Sequence, residues 1–386
     1  MSLILASARP AADADRAIRV MVVDDAIVAR RLLTRWIDAE PDMTVTAVLR
    51  TGREAVEQIE QNDPDVVVLD VEMPELDGIS ALPLLLKKKR DLVVIMASTL
   101  TRRSAEVSLR ALSLGAADYV PKPQSAPDAE TSAAFQRELI EKIRSLGRRG
   151  RRLAPQARPG VSAVPPLSAL RGRAAPPHAA IRSFKLRPFG LALPRVLLIG
   201  CSTGGPQALT TLIGQICAST ERVPILITQH MPATFTTVLA EHLTRIAGRR
   251  VHEPQDGEAI IPGGIYVAPG GHHLRVVPGP DGPVVALGDD PPINFCKPAV
   301  DPLLSSAAQV WGSGSLAIVL TGMGSDGTNG AGSIAAAGGS VIAQDEASSV
   351  VWGMPRSVAQ AGFCSAVLPL GEIAAKVNRL FSGYRS

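Results

Sequence analysis

The feature that most constrains this chain is a rhythm. Short, near-continuous Val/Ile/Leu runs alternate with amphipathic segments over residues 18–146, and the rhythm resumes over residues 194–386. In the first stretch IRVMVV, TVTAVL, VVVLDV, VVIMAS and ADYV read as strands, with helical patterns starting near Ile27, Arg53, Gly78, Ser104 and Thr131. A strand that is apolar at nearly every position is buried on both faces, which requires a parallel sheet covered by helices on each side. Each half is therefore expected to be a doubly wound α/β domain, with its functional groups beyond the C-terminal ends of the strands. At 386 residues the chain has room for two such domains.

Residues 147–193 interrupt the rhythm. From Gly147 to Gly190 there are ten basic side chains and no acidic one, among many Pro, Ala, Gly and Ser; the rest of the chain carries 30 basic and 36 acidic groups. The basic balance thus belongs to one segment, and the segment reads as a Pro/Arg-rich linker. Its only aromatic residues are Phe184 and Phe189 near its end, too few to interleave with its basic residues as a stacking platform for bases, so a solvated tether is expected and no nucleic-acid partner. Residues 1–17 form an N-terminal tail whose short apolar patch has no basic region before it. No apolar run approaches the roughly 18 residues of a membrane span, so no membrane insertion and a cytoplasmic location are expected. Cys201, Cys217, Cys296 and Cys364 have neither C-x-x-C nor metal-ligand spacing, which fits reduced thiols.

The strand-end rule selects Asp24 and Asp25 after the first strand, Asp70 at the end of the third, Ser98 and Thr99 after the fourth and Lys122 after the fifth. Any one aspartate is explained by a helix cap, but not a set of them on successive strand ends. Three converging carboxylates repel unless a hard cation neutralises them, and oxygen ligands of this kind suit Mg²⁺. Lys122 and Ser98 then supply a cation and a hydroxyl for a phosphoryl group, and a carboxylate in such a cage accepts one as an aspartyl-phosphate.

In the second stretch VLLIG runs into Gly200-Cys201-Ser202-Thr203-Gly204, a G-x-S-x-G elbow that holds a serine hydroxyl clear of the backbone. PILITQ ends at His230, and SLAIVL leads through TGMGS to Asp326. On parallel strands these three lie along one sheet edge, giving a nucleophile, a base and an orienting acid. Thr203 N–H, at the start of the next helix, and Met323 N–H in the Gly-rich loop are the expected oxyanion donors. The order Ser…His…Asp differs from the Ser…Asp…His of α/β-hydrolases. From IIPGGIYVAP to LRVVPGPDGPVVAL, Pro-Asp-Gly turn chemistry points to antiparallel strands added to one end of the sheet. His272 and His273 follow Pro269-Gly270-Gly271, where a turn role or a substrate contact is expected rather than metal ligation.

VVDD, LDVEMPELDG, Ser98-Thr99 and YVPKP resemble the two-component response-regulator receiver domain. The resemblance implies a flavodoxin-like fold with Asp70 as phosphoacceptor. It also implies Asp24, Asp25, Asp70 and the Glu72 carbonyl around Mg²⁺, Ser98 and Lys122 as phosphoryl partners, Tyr119 at the aromatic switch position and a Lys-Pro step at Pro123. GCSTGGPQAL, QHMP, APGGHHL, LTGMGSDG and AQDEASSVVWGMP resemble the catalytic domain of the chemotaxis protein-glutamate methylesterase family. That resemblance implies a Rossmann-like domain with a hairpin extension. Its implied activity is phosphorylation-activated hydrolysis of glutamate γ-methyl esters on the helices of chemoreceptor cytoplasmic domains, with methanol released and receptor glutamines also deamidated. Methylated chemoreceptors and a chemotaxis histidine kinase are the implied partners, the triad is Ser202, His230 and Asp326, and no cofactor is implied for hydrolysis. The rival readings are a response regulator with a non-catalytic binding output domain and a general esterase or amidase.

Overall fold

The computed structural model describes residues 16–122, 129–153 and 184–382. The bond to Pro123, His178 and most of the linker lie outside the described residues. In the first domain the elements run β1 (Ile18–Val23), α1 (Ile27–Asp38), β2 (Met43–Leu49), α2 (Gly52–Asn62), β3 (Val66–Asp70), α3 (Gly78–Lys88), β4 (Val93–Ser98), α4 (Arg102–Ser113), β5 (Asp118–Pro121) and α5 (Ala129–Leu153). The sheet order is β2-β1-β3-β4-β5 with every pair parallel, so the three apolar central strands are covered on both faces. Thr51, Asp77 and Thr101 cap α2, α3 and α4 by accepting from the N–H groups of Glu54, Ser80 and Ser104. Caps of this kind contribute about 1 kcal/mol each. Helix α5 continues to Leu153, into the segment expected to be linker. The start of that segment does more than solvate: Arg148 joins Arg144 in donating to Asp42, and a Cβ on Gly147 would meet Ile18 at 2.8 Å, so the glycine lets the helix lie on β1.

The second domain runs β6 (Val196–Cys201), α6 (Gly205–Ile216), β7 (Ile225–Gln229), α7 (Ala233–Ala247), β8 (Val251–His252), β9 (Ile265–Val267), β10 (His273–Gly279), β11 (Gly282–Gly288), α8 (Val300–Trp311), β12 (Ser315–Val319), α9 (Thr328–Ala336), β13 (Ser340–Gln344), α10 (Met354–Gln360), β14 (Ala366–Leu368) and α11 (Leu370–Phe381). Seven strands form one parallel sheet in the order β14-β13-β12-β6-β7-β9-β8. Here the expected set of antiparallel additions is corrected. The IYV of β9 is buried throughout and pairs parallel with β7, so it belongs inside the main sheet. Only β10 and β11 are antiparallel, and they form a separate two-stranded sheet beside α8, with Val276 N–H donating to Ser306 of that helix.

The domains pack against each other through α4, β5 and α5 of the first and α6, α7 and the loops before α8 and α10 of the second. Tyr119 on β5 stacks on Phe235 of α7, with ring centroids 4.5 Å apart and planes 5° from parallel. Gln207 donates to the Ala116 carbonyl, Arg102 binds both oxygens of Glu241, and Val350 and Val351 pack on the receiver-side core. Among the described residues no helix is long and apolar enough to cross a membrane.

Candidate active site and phosphoryl site

Strand β6 ends where its chain must turn sharply, and the turn is built of close contacts. Gly204 has φ +75°, and a Cβ on Gly205 would sit 1.9 Å from Gln229 Oε1. Ser202 N–H donates to the Thr321 carbonyl, and Thr321 Oγ1 donates to the Thr203 carbonyl at 2.8 Å, which ties this elbow to the loop after β12. Gln229 Nε2 donates to the carbonyls of Ser202 and His230, holding the ends of β6 and β7 together. Nothing in the sequence reading marked Gln229 or Gln344, whose Oε1 accepts from Thr321 N–H. Both glutamines end strands, which is the signal that selected their neighbours.

Ser202, His230 and Asp326 line one cavity of about 330 Å³ together with Thr203 and Met323. Asp326 Oδ2 accepts from His230 Nε2 at 2.7 Å and from Val300 N–H at 2.6 Å, while Oδ1 accepts from Asp301 and Gly327 N–H. The aspartate therefore sits on the N-terminus of α8 as well as on that of the following helix. Burial works against its charge, but the His230 bond and these amides hold its pKa below the ordinary carboxylate value. An ionised Asp326 fixes a ring proton on Nε2, so that Nδ1 is the nitrogen turned away from it. Ser202 Oγ makes no hydrogen bond to the ring in this structure. The Cys296 sulfur is the ring's neighbour instead. Burial opposes a charged His230, but Cys296 and Asp326 outweigh it and hold the pKa up to about 10. The N–H groups of Thr203 and Met323 donate to no other group among the described residues. Cys201, beside Ser202, is fully buried, and burial raises its thiol pKa, so it stays a protonated packing residue.

The cavity's other wall is the first domain: Tyr119, Arg137, Glu138 and Lys142 line it too. Lys142 is buried between Asp118 and Glu138 and donates to the Tyr119 carbonyl, which pins α5 to β5. Burial opposes its charge, yet the two carboxylates raise its pKa above the ordinary lysine value. At the cavity mouth Ile293 and Cys296 exchange two backbone hydrogen bonds around Asn294 and Phe295, whose φ values are +49° and +65°. Positive φ is tolerable for Asn; for Phe it costs about 1–3 kcal/mol. His273 is buried with both ring nitrogens on backbone groups, and half-buried His272 pairs with Asp289, so neither lines the cavity.

In the first domain Asp24, Asp25 and Asp70 bring carboxylate oxygens within 4.8 Å of one another, a donor set that fits a hard cation. Lys122 Nζ bridges Asp24 and Asp70 at 2.6 and 2.7 Å. Burial pushes the Asp70 pKa up to about 6, against the pull of Lys122. Ser98 is buried and accepts from Ser108 Oγ. Glu72 follows in the turn with its side chain exposed, and a Cβ on Gly78 would lie 2.0 Å from the Asp70 carbonyl, so only glycine lets α3 start there.

Two family patterns cover most of this architecture: a response regulator receiver domain matches residues 20–133 and CheB methylesterase matches residues 197–377. A protein-glutamate methylesterase/protein-glutamine glutaminase of Rhodopseudomonas palustris strain BisB5 is 62% identical over 371 residues, covering 96% of this chain and 95% of the relative. A protein of the same description from strain HaA2 is 59% identical over the whole of both chains. Among solved structures, the catalytic domain of Thermotoga maritima CheB methylesterase shares 40% identity, with a TM-score of 0.47, and covers 48% of this chain and 98% of that one.

Proposed function

Because this chain belongs to the CheB methylesterase family and carries a receiver domain before the catalytic one, we propose that it hydrolyses glutamate γ-methyl esters on chemoreceptors under the control of receiver phosphorylation. The observation that supports the catalytic half most is the single cavity shared by Ser202, His230 and Asp326 at the ends of β6, β7 and the β12 loop. Ser202 Oγ attacks the ester carbonyl while His230 Nδ1 takes its proton and Asp326 holds the ring through Nε2. Thr203 and Met323 N–H groups receive the oxyanion, each worth about 10²–10³ in kcat. The ring then protonates the leaving methanol, and water hydrolyses the acyl-enzyme by the same route in reverse. A receptor glutamine fits the same chemistry, with ammonia as the leaving group.

In the receiver, Asp70 is the phosphoacceptor, and Lys122 and Ser98 bind the incoming phosphoryl oxygens. Asp24, Asp25, Asp70 and the Glu72 carbonyl would hold Mg²⁺, which supplies charge neutralisation at the acceptor carboxylate. A chemotaxis histidine kinase is the phosphodonor, and the protein works in the cytoplasm, where receptor methylation sites lie. The phosphoryl group adds about −1.5 to −2 charges beside Lys122, which directly follows β5, the strand whose Tyr119 stacks on Phe235. Transferring that charge change along β5 loosens the wall over the cavity.

The test is methanol release from a methylated receptor fragment by wild type and Ser202→Ala. Release that disappears in the variant, with receptor binding retained, is the expected result. Equal release by the two proteins would remove Ser202 from the reaction, and no release by either would favour a receiver with a binding output domain.

A further inference from the structure

Phe295 is an oddity that neither the fold nor the triad explains. It is 76% exposed, although it is a large apolar side chain beside a buried catalytic cavity. Its backbone is also strained, at φ +65°, and the two hydrogen bonds between Ile293 and Cys296 keep it so. A turn needing only polar residues would carry Asn or Gly there at no cost. Strain retained at a solvent-facing aromatic on a site's rim points to a use for that side chain.

The receiver is the neighbour recorded on it. Arg137 of α5 places its guanidinium 3.7 Å from the ring centroid, so the domain that walls the cavity also touches this ring while leaving most of it exposed. A protein substrate reaching Ser202 must displace that wall, and its surface then rests on the rim that the receiver has left. From these observations we propose that Phe295 is the substrate anchor of the catalytic domain. It packs against an apolar side chain of the receptor helix one turn from the modified glutamate, on a ring that Arg137 contacts while the receiver walls the cavity. Residues three or four apart lie on the same helix face, so a glutamate inserted into the cavity brings such a neighbour to its mouth. An exposed aromatic centred on a contact is also the residue type that carries most of an interface's affinity. This proposal rests on the methylesterase reading above.

The experiment uses the full-length protein with a small phosphodonor and Mg²⁺, and two substrates: methylated receptor fragment and a small glutamate γ-methyl ester. Phe295→Ala is expected to raise KM for the receptor about tenfold, and to lower kcat/KM for the receptor at least fivefold more than for the small ester. Phe295→Leu, which restores an apolar surface, is expected to recover most of the loss. Equal losses on both substrates would mean that the turn merely supports Cys296 and His230, and would overturn the proposal. So would a receptor KM within twofold of wild type. If wild type releases no methanol from the receptor while hydrolysing the small ester, the methylesterase reading itself fails and takes this one with it.

Discussion

A histidine held above its ordinary pKa is a poor base at neutral pH, and His230 is in that condition in the covered protein. Burial opposes its charge, but the Cys296 sulfur and the Asp326 carboxylate keep the ring protonated up to about pH 10. The folded pKa is raised above the unfolded value, so the stability this contributes is complete below about pH 6.5 and is lost as pH rises through about 10. In the proposed reaction activity runs the opposite way, because only the neutral ring would accept the Ser202 proton. Methanol release without phosphodonor is therefore expected to climb between about pH 7 and 10. With phosphodonor, once the Ile293–Cys296 turn loses its Arg137 contact and Cys296 can leave the ring, the limb moves to lower pH. Two profiles with one midpoint would contradict this link between Cys296 and the receiver.

At the scale of elements, the catalytic geometry depends on helix α8 standing close to β6. A Cβ on Gly200 would lie 2.4 Å from Val300 Cγ1, and Val300 is also the first residue of α8 and a donor to Asp326. Gly200→Ala is expected to cost about 1–3 kcal/mol by overpacking. It should also lower kcat more than KM, since the helix end that moves is the one holding Asp326. Thermal unfolding together with steady-state kinetics checks both, and a variant with unchanged melting and kcat would refute the coupling. The strand ends that carry Ser202, His230 and Asp326 were legible in the sequence because each apolar run stops abruptly at a polar residue. The hairpin segment was less so: IYV is three residues long, too short to tell a parallel insertion from an antiparallel addition, and burial on both faces decides it. Arg148 read as linker charge because its partner, Asp42, is about a hundred residues away in the chain. The Cys296 contact with His230 was invisible for the same reason, since no local pattern connects a turn before α8 with the end of β7.

For the whole molecule, the central feature is that one domain forms a wall of the other's candidate active site. The contact is modest and mixed: a Tyr119–Phe235 stack, Arg137 on Phe295, the Gln207 bond and the exposed Arg102–Glu241 pair, which water screens strongly. An interface of this kind suits a switch, because moving it from almost wholly closed to almost wholly open takes about 5.5 kcal/mol of differential stability. A single phosphoryl group acting through Lys122 and β5 is expected to supply part of that, giving graded activation. The most direct measurement is the rate of methanol release from methylated receptor, with and without phosphodonor and Mg²⁺, in wild type and Asp70→Ala. The account predicts a clear rise in wild type and a low, unresponsive rate in Asp70→Ala. Equal stimulation of both proteins, or a wild type already at full rate without phosphodonor, would contradict it.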